Sequence, residues 1–150
     1  MPMREDSRRL WPISLPIEIK GYDIDAWGIV SNIVYVRWLE DLRTALLWSL
    51  VDWQQCYREG HGPVLARTEI DYRRPLRLGD PLVGHMWVAG AGRSRWQVGA
   101  EFVVDGRVAA AARQEGYWVD LRTVRPVPLP AALRARLAAE GVTVGGATAG

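Results

Sequence analysis

Asp25 lies in a segment whose residue types suit chemistry at a carbonyl group. The segment runs from Tyr22 to Tyr35 and places this carboxylate just before a glycine turn that leads into a predicted helix. A carboxylate can attack a carbonyl carbon or activate water, and unpaired N–H groups at a helix start can polarise the carbonyl oxygen. Trp27 and Ile29 make the surroundings apolar, where desolvation raises the basicity of a carboxylate.

The same acidic residues also have purely structural interpretations. Asp is common in loops because its side chain accepts hydrogen bonds from nearby backbone groups, so Asp25 alone is compatible with a turn-stabilising or helix-capping role. For Asp23, two positions earlier, the structural role is favoured. Tyr35, one turn into the predicted helix, suits either a pocket or simple packing.

Composition bounds the possible classes of protein. The chain has 150 residues, 49% hydrophobic and 24% charged, which is typical of one soluble domain. No apolar run reaches the roughly 18 residues of a membrane helix, and residues 1–10 lack a secretory signal, so we expect a cytoplasmic protein without a membrane partner. The single cysteine, Cys56, excludes an internal disulfide and a cysteine-based zinc site. We expect no metal and no cofactor.

The formal net charge of +2 does not favour nucleic-acid binding, but arginines cluster locally. Arg73 and Arg74 are adjacent, and Arg93 and Arg95 follow a glycine-rich turn. Guanidinium groups match phosphate oxygens, so both pairs are candidates for binding a phosphate-bearing ligand. Arginines at solvated strand ends are the alternative.

The hydrophobic periodicity predicts an α+β domain. Alternation over Leu15–Lys20 predicts a strand, and apolar spacings of three and four from Asn32 to Val51 predict one long helix with Ser31 as its N-cap. Strand signals then continue to Asp120. The predicted architecture is a curved antiparallel sheet of about five strands around one central helix.

The chain's end and its tightest turn are also predicted. Asp105-Gly106 is typical of a two-residue hairpin turn, and the strand before it places Trp96, Val98, Ala100, Phe102 and Val104 on one face. Residues 131–140 are predicted to be a short helix. We therefore expect a single domain over residues 1–140 and a disordered tail over 141–150.

Two segments resemble the hotdog-fold thioesterases of the 4-hydroxybenzoyl-CoA and acyl-CoA thioesterase type. The first contains Asp23, Asp25, Gly28, Val30, Asn32, Tyr35 and Arg37-Trp38-Leu39-Glu40; the second runs from Ile70 to Asp80 with a Pro-x-x-x-Gly-Asp turn. The resemblance covers roughly residues 17–130. Many relatives have His at position 29 and Asn at positions 27 and 31, where this chain has Ile29, Trp27 and Ser31.

The resemblance implies a hotdog fold and an acyl-CoA or acyl-carrier-protein thioesterase that needs no cofactor. It implies that Asp25 is the nucleophile or general base and that the backbone N–H of Ser31 or Asn32 holds the thioester oxygen. It also implies pairing into homodimers, often assembled further into homotetramers. The residues expected to bind substrate are Trp27, Gly28, Ile29, Val30, Tyr35, Arg73, Arg74, Arg93 and Arg95.

Three functions other than thioester hydrolysis are alternatives for this sequence. The same fold can be a non-catalytic module that binds an acyl thioester or another apolar ligand. Hydratase chemistry on this fold is disfavoured because the expected histidine near the helix is missing. Serine-hydrolase chemistry is disfavoured because the chain has no Gly-x-Ser-x-Gly sequence.

Overall fold

The fold is one five-stranded antiparallel sheet packed against a long helix. The structure, a computed structural model, describes residues 8–142 and 144. The strand order is β1-β3-β4-β5-β2, so β1 and β2 are the edges. In chain order the elements are β1 (Leu10–Ile17), a 3-10 turn (Gly21–Asp23), α1 (Val34–Leu50), α2 (Trp53–Glu59), β2 (His61–Tyr72), β3 (Leu82–Ala91), β4 (Arg95–Val104), β5 (Arg107–Asp120) and α3 (Ala131–Ala139). This confirms the predicted α+β hotdog architecture.

The core lies between α1 and the inner face of the sheet. Leu39 and Leu42 of α1 are fully buried, as is Phe102 of β4. The helix approaches the sheet closely because small residues face it: a side chain at Gly84 would meet Leu42 at 3.0 Å, and Ala110 and Ala112 are buried on β5. Burial of this apolar face supplies most of the force that holds α1 in place.

The Asp105-Gly106 hairpin is confirmed. Both residues have positive φ, 50° and 75°, as a type I′ turn requires. The turn joins β4 to β5, and the β4 face predicted to be apolar does point to the core: Val98, Ala100 and Phe102 are buried, and Trp96 and Val104 pack against them at its ends.

The structure differs from the predicted elements at three places. The first strand runs from Leu10 to Ile17 rather than from Leu15 to Lys20. Its first residues were missed because Pro12 and Pro16 conceal the alternation in the sequence. Ser31 is not the N-cap of α1; the chain enters the helix through a turn, and the cap position is Ile33. Helix α2 is not among the predicted elements; Asp52 caps its start by accepting a hydrogen bond from Gln55 N–H.

The predicted tail begins within the folded part of the chain. Gly141 N–H and Val142 N–H donate to carbonyls in the last turn of α3, at 2.9 Å each, and Val142 and Val144 pack against the core. Residues 143 and 145–150 lie outside the described residues.

The two sheet edges differ in their capacity to pair with another strand. Pro12 and Pro16 interrupt the edge strand β1, and proline cannot donate a ladder hydrogen bond. Edge strand β2 is 12 residues long and has a proline only near its start, at Pro63. Among residues 8–142 and 144, no helix is long and apolar enough to cross a membrane.

Candidate active site

The Asp25 loop is closed on itself by backbone hydrogen bonds. Ile24 and Val30 form an antiparallel bridge, and Asp25 N–H donates to Ile29 C=O at 2.8 Å. Gly28 N–H donates back to Asp25 C=O at 3.1 Å, and Gly28 has φ of 79°, a conformation that favours glycine. The two ends of the loop, Ile24 and Val30, are therefore held together shortly before α1 begins.

The carboxylate of Asp25 is half-buried and has one oxygen engaged. Its Oδ1 accepts a hydrogen bond from Trp27 N–H at 2.8 Å, which is the turn-stabilising contact expected of a loop aspartate. Within the described part of the chain, Oδ2 has no hydrogen-bond partner. One oxygen thus fixes the orientation of the carboxylate while the other remains available.

Asp23 has the structural role that was favoured for it. Its side chain is buried, and Oδ2 accepts a hydrogen bond from Lys20 N–H at 2.8 Å. Its carbonyl oxygen accepts from Ser31 N–H at 2.9 Å. Both contacts hold the loop rather than expose the carboxylate.

The start of α1 distinguishes the two candidate oxyanion donors. Ser31 N–H is bonded to Asp23 C=O, and Val34 N–H donates to Ser31 C=O at 3.0 Å. Between them, Asn32 N–H has no acceptor among residues 8–142 and 144. The positive end of the helix dipole lies at this position, and it favours negative charge there.

Tyr72 is a residue of this site that the sequence analysis did not single out. Its hydroxyl donates to Asn32 C=O at 3.0 Å, so the last residue of β2 is tied to the start of α1. This bond also fixes the peptide unit that follows Asn32. The sequence signal was its place near the start of the second family-like segment, directly before Arg73.

The predicted substrate-binding residues divide into exposed and buried groups. Gly28 and Trp27 are exposed, Trp27 by 86%. Ile33, which was not among the predicted residues, lies close by and is 72% exposed, so two large apolar side chains are unusually exposed here. Ile29 is half-buried, whereas Val30 and Tyr35 are 2% exposed and belong to the core. In one chain the site is therefore a partly apolar surface rather than a closed pocket.

The two arginine pairs lie at opposite ends of the sheet. Arg73 N–H and Arg74 N–H both donate to Ala109 C=O at 2.9 Å, next to Tyr72 and hence to Asn32. Arg95 pairs in register with Tyr117, seven residues along β5 from Ala110, the partner of Tyr72. Seven strand residues span about 23 Å. Within one chain, the structure brings Arg73 and Arg74 to the Asp25 loop and does not bring Arg93 and Arg95 there.

Among the described residues, no group of three or more His, Cys, Asp or Glu side chains is arranged to hold a metal ion. The site offers a carboxylate with a free oxygen and, at the start of the helix that follows, an unpaired N–H donor. Together these groups suit attack on a carbonyl carbon with stabilisation of the negative charge that develops on its oxygen.

Comparison with known proteins shows the family to which the chain belongs. The model of the thioesterase-like superfamily matches residues 20–137, most of the chain. The chain belongs to this superfamily. A thioesterase from Thermus thermophilus, solved with coenzyme A and zinc, is 30% identical and superposes with a TM-score of 0.72 over 87% of this chain and 95% of that one.

Two further similar proteins are more distant in sequence. The 1,4-dihydroxy-2-naphthoyl-CoA thioesterase Slr0204 from Synechocystis is 18% identical and shares the fold, with a TM-score of 0.75 over 85% of this chain and 96% of that chain. The chloroplastic acyl-acyl carrier protein thioesterase ATL3 of Arabidopsis thaliana is 23% identical over 129 residues, or 80% of this chain. This chain spans only 64% of the Arabidopsis protein's length.

Tyr35, which matches the superfamily-like motif, is placed by the structure as a core residue. Its ring makes edge-on contacts with Phe102, at 5.5 Å between centroids, and with Tyr72, at 5.0 Å. Burial, with a smaller contribution from nearby Tyr72, raises the pKa of Tyr35 to about 12. The hydroxyl is thus protonated at neutral pH.

This raised pKa predicts a stability change at high pH. The unfolded chain loses the Tyr35 proton near its ordinary pKa of about 10, and the folded chain loses it only near 12, so stability falls as pH rises through that window. We expect this residue to account for up to about 3 kcal/mol of the loss. Urea unfolding at pH 9 to 12 measures it. Tyr35→Phe should remove most of the slope, and an unchanged slope would contradict the placement.

Proposed function

We propose that the chain hydrolyses acyl thioesters carried by coenzyme A or an acyl-carrier protein. The observation that carries the proposal is the free Oδ2 of Asp25 in a loop that ends at the unpaired N–H of Asn32. A carboxylate and an oxyanion donor are the two groups that thioester hydrolysis requires. Membership of the thioesterase-like superfamily supports the same conclusion.

In the proposed reaction the thioester oxygen accepts a hydrogen bond from Asn32 N–H, and attack on the carbonyl carbon places negative charge on that oxygen. Collapse of the tetrahedral intermediate breaks the carbon–sulfur bond and releases the thiolate. Asp25 either attacks directly, forming an anhydride that water then hydrolyses, or removes a proton from the attacking water. Trp27 N–H holds Oδ1 in both routes, so Oδ2 is the reacting atom.

Replacing Asp25 tests the proposal. Asp25→Asn keeps an oxygen that can accept from Trp27 N–H but removes the nucleophile or base, so kcat/KM should fall by about 100-fold or more. Thiol release from a panel of acyl-CoA substrates measures it. Asp120→Asn is the matched control, because Asp120 also accepts loop N–H groups, from Arg122 and Thr123, at the far end of the sheet.

The outcome also separates hydrolysis from simple binding. A wild-type chain that binds acyl thioesters but releases no thiol, with affinity unchanged by Asp25→Asn, would contradict the hydrolase and support a non-catalytic binding module. The contact from Trp27 N–H to Oδ1 would then account for all of Asp25's role.

The phosphate-bearing handle is proposed to bind at Arg73 and Arg74. Both come just after Tyr72, near the start of α1, whereas Arg95 lies at the opposite end of the sheet. Arg73 pairs with Asp71, as Arg95 pairs with Glu115, so Arg74 is the main candidate. Arg74 has no hydrogen bond or ion pair from its side chain to the described residues, so its guanidinium is available to a phosphate.

Charge reversal tests which arginine pair is used. Arg74→Glu should raise KM for acyl-CoA by roughly tenfold, with little change for the same acyl group on N-acetylcysteamine, which lacks phosphates. Arg93→Glu is the control from the other pair. A larger effect of Arg93→Glu than of Arg74→Glu would contradict this assignment. It would place the phosphate site at the far end of the sheet, which in a dimer paired through β2 lies near the Asp25 loop of the other copy.

We further propose that two copies pair through β2 and that this pairing covers the exposed site. Strand β2 is the edge whose one proline, Pro63, lies near its start, and exposed Trp27 and Ile33 beside the Asp25 loop would otherwise face water. In a symmetric antiparallel pairing of β2, the start of one copy's strand lies beside the end of the other copy's strand, and therefore beside Tyr72. Assembly of two such pairs into a tetramer is compatible with this arrangement.

Light scattering coupled to size-exclusion chromatography tests the pairing. The expected mass is at least twice that of one chain. Ala66→Pro, at the exposed irregularity of β2 where pairing with β5 shifts register, should reduce that mass while circular dichroism remains unchanged. A wild-type chain that elutes as a clean monomer would contradict this part of the proposal.

A further inference from the structure

An apolar cavity lies away from the Asp25 loop, at the other end of α1. It is partly open to solvent and has a volume of about 250 Å³ between the C-terminal half of α1, the sheet and α3. Its walls are mostly leucine, valine and tryptophan, including Leu47 of α1, Trp96 of β4 and Leu133 of α3. A cavity of about 150 Å³ with such walls stays dry and holds benzene, so this space has room for considerably more than six carbon atoms.

One stripe of α1 connects this cavity with the proposed reaction site. Residues 36, 40, 43 and 47 recur at intervals of three and four, so they lie on one side of the helix, and Asn32, in the turn before the helix, continues the same spacing. The stripe begins at Asn32, which Tyr72 of β2 contacts, and it ends at Leu47, which lines the cavity. Val36, one turn into it, is 41% exposed although apolar.

The middle of the stripe is polar, but its charges are satisfied. Arg43 donates to Gln114 Oε1 at 2.6 Å and forms an ion pair with Glu40. Gln114 is buried and donates in turn to Thr68 of β2 at 3.1 Å. Because the guanidinium is held by these partners, the aliphatic stem of Arg43 is the part available to an apolar neighbour.

We propose that the hydrocarbon chain of the acyl group lies along this stripe and that its terminal carbons fill the cavity. The inference rests on the proposed thioesterase function. Asn32 to Glu40, at the rim of the cavity, is eight residues or about 12 Å along the helix. An extended chain advances roughly 1.2 Å per bond, so about ten carbons reach the rim. The substrates favoured are therefore long-chain acyl thioesters, of about 14 to 18 carbons when the cavity volume is added.

The first experiment is a chain-length profile. Thiol release from butyryl-, octanoyl-, dodecanoyl- and hexadecanoyl-CoA is measured below the concentration at which these substrates form micelles. A buried methylene improves affinity by up to roughly fourfold, so kcat/KM should be at least about tenfold higher for hexadecanoyl-CoA than for octanoyl-CoA. A profile that is flat or that falls beyond eight carbons would overturn the inference.

The second experiment fills the cavity. Thr44→Phe adds an aromatic ring at its rim from a half-buried position, and Leu47→Phe is a second variant in case the first does not fold. Either should lower kcat/KM for hexadecanoyl-CoA by about tenfold or more while that for butyryl-CoA stays within about twofold. Gln54→Phe, on the exposed surface of α2, adds the same ring away from the cavity and should change neither.

Direct binding separates this inference from the hydrolytic proposal. Calorimetry with S-hexadecyl-CoA and S-butyl-CoA, thioethers that cannot be hydrolysed, should show tighter binding of the long chain by wild type, and Thr44→Phe should remove the difference. That result in a chain that releases no thiol would retain the cavity assignment and contradict the hydrolase. Hydrolysis together with equal binding of both thioethers would retain the hydrolase and contradict the cavity assignment. A difference in affinity between the two thioethers that Thr44→Phe leaves unchanged would also contradict the cavity assignment.

Discussion

The antiparallel bridge between Ile24 and Val30 is the contact on which the candidate site depends. It closes the loop that carries Asp25 and joins it, one residue later, to the entry of α1 through Ser31 N–H and Asp23 C=O. Val30 N–H donates to Leu76 C=O at 2.8 Å, which fixes the same point to the segment after β2. Without this closure a carboxylate on a surface loop would have no defined position relative to the helix N-terminus.

Burial of α1 fixes the position of the helix against which the closed loop is held. Leu39 and Leu42 are completely enclosed, so the helix axis is set by core packing rather than by the loop. Tyr72 then ties the start of the helix to the end of β2. A donor fixed in this way needs no reorganisation when charge develops on a substrate oxygen, which is the condition under which a single hydrogen bond contributes most to catalysis.

The sequence predicted the architecture because its signals were local and mutually consistent. The spacing of apolar residues in α1, the Asp105-Gly106 turn and the alternation before it each specify an element through neighbouring residues. The position of Asp25 shortly before a long helix was likewise predicted from adjacent positions, although the helix begins at Val34 rather than at Asn32. The sequence did not predict that Ser31 N–H is unavailable as a donor, because this depends on its hydrogen bond to Asp23 C=O, which forms only when the loop closes.

Long-range placements were the part that sequence reasoning missed. Arg73 and Arg95 are similar in local context, and only the register of β2, β5 and β4 shows that about 23 Å separates their ends of the sheet. Tyr72 was passed over for the same reason, since its partner Asn32 is 40 residues away. The cavity near α3 required knowledge of how Leu133 and Leu137 meet α1, which no local pattern contains.

Helix α1 carries both halves of the proposed substrate interaction, and this constrains how the site can vary. Its N-terminus offers the donor at Asn32, and the stripe through Val36 and Arg43 leads to the cavity at Leu47. Changes near the cavity alter which chain fits without moving the backbone that holds Asp25, because Leu39 and Leu42 fix the helix between the two ends. In the proposed arrangement, chemistry and chain-length selection are therefore separable, since a substitution beyond Arg43 acts about 16 Å or more along the helix from the proposed reacting atoms.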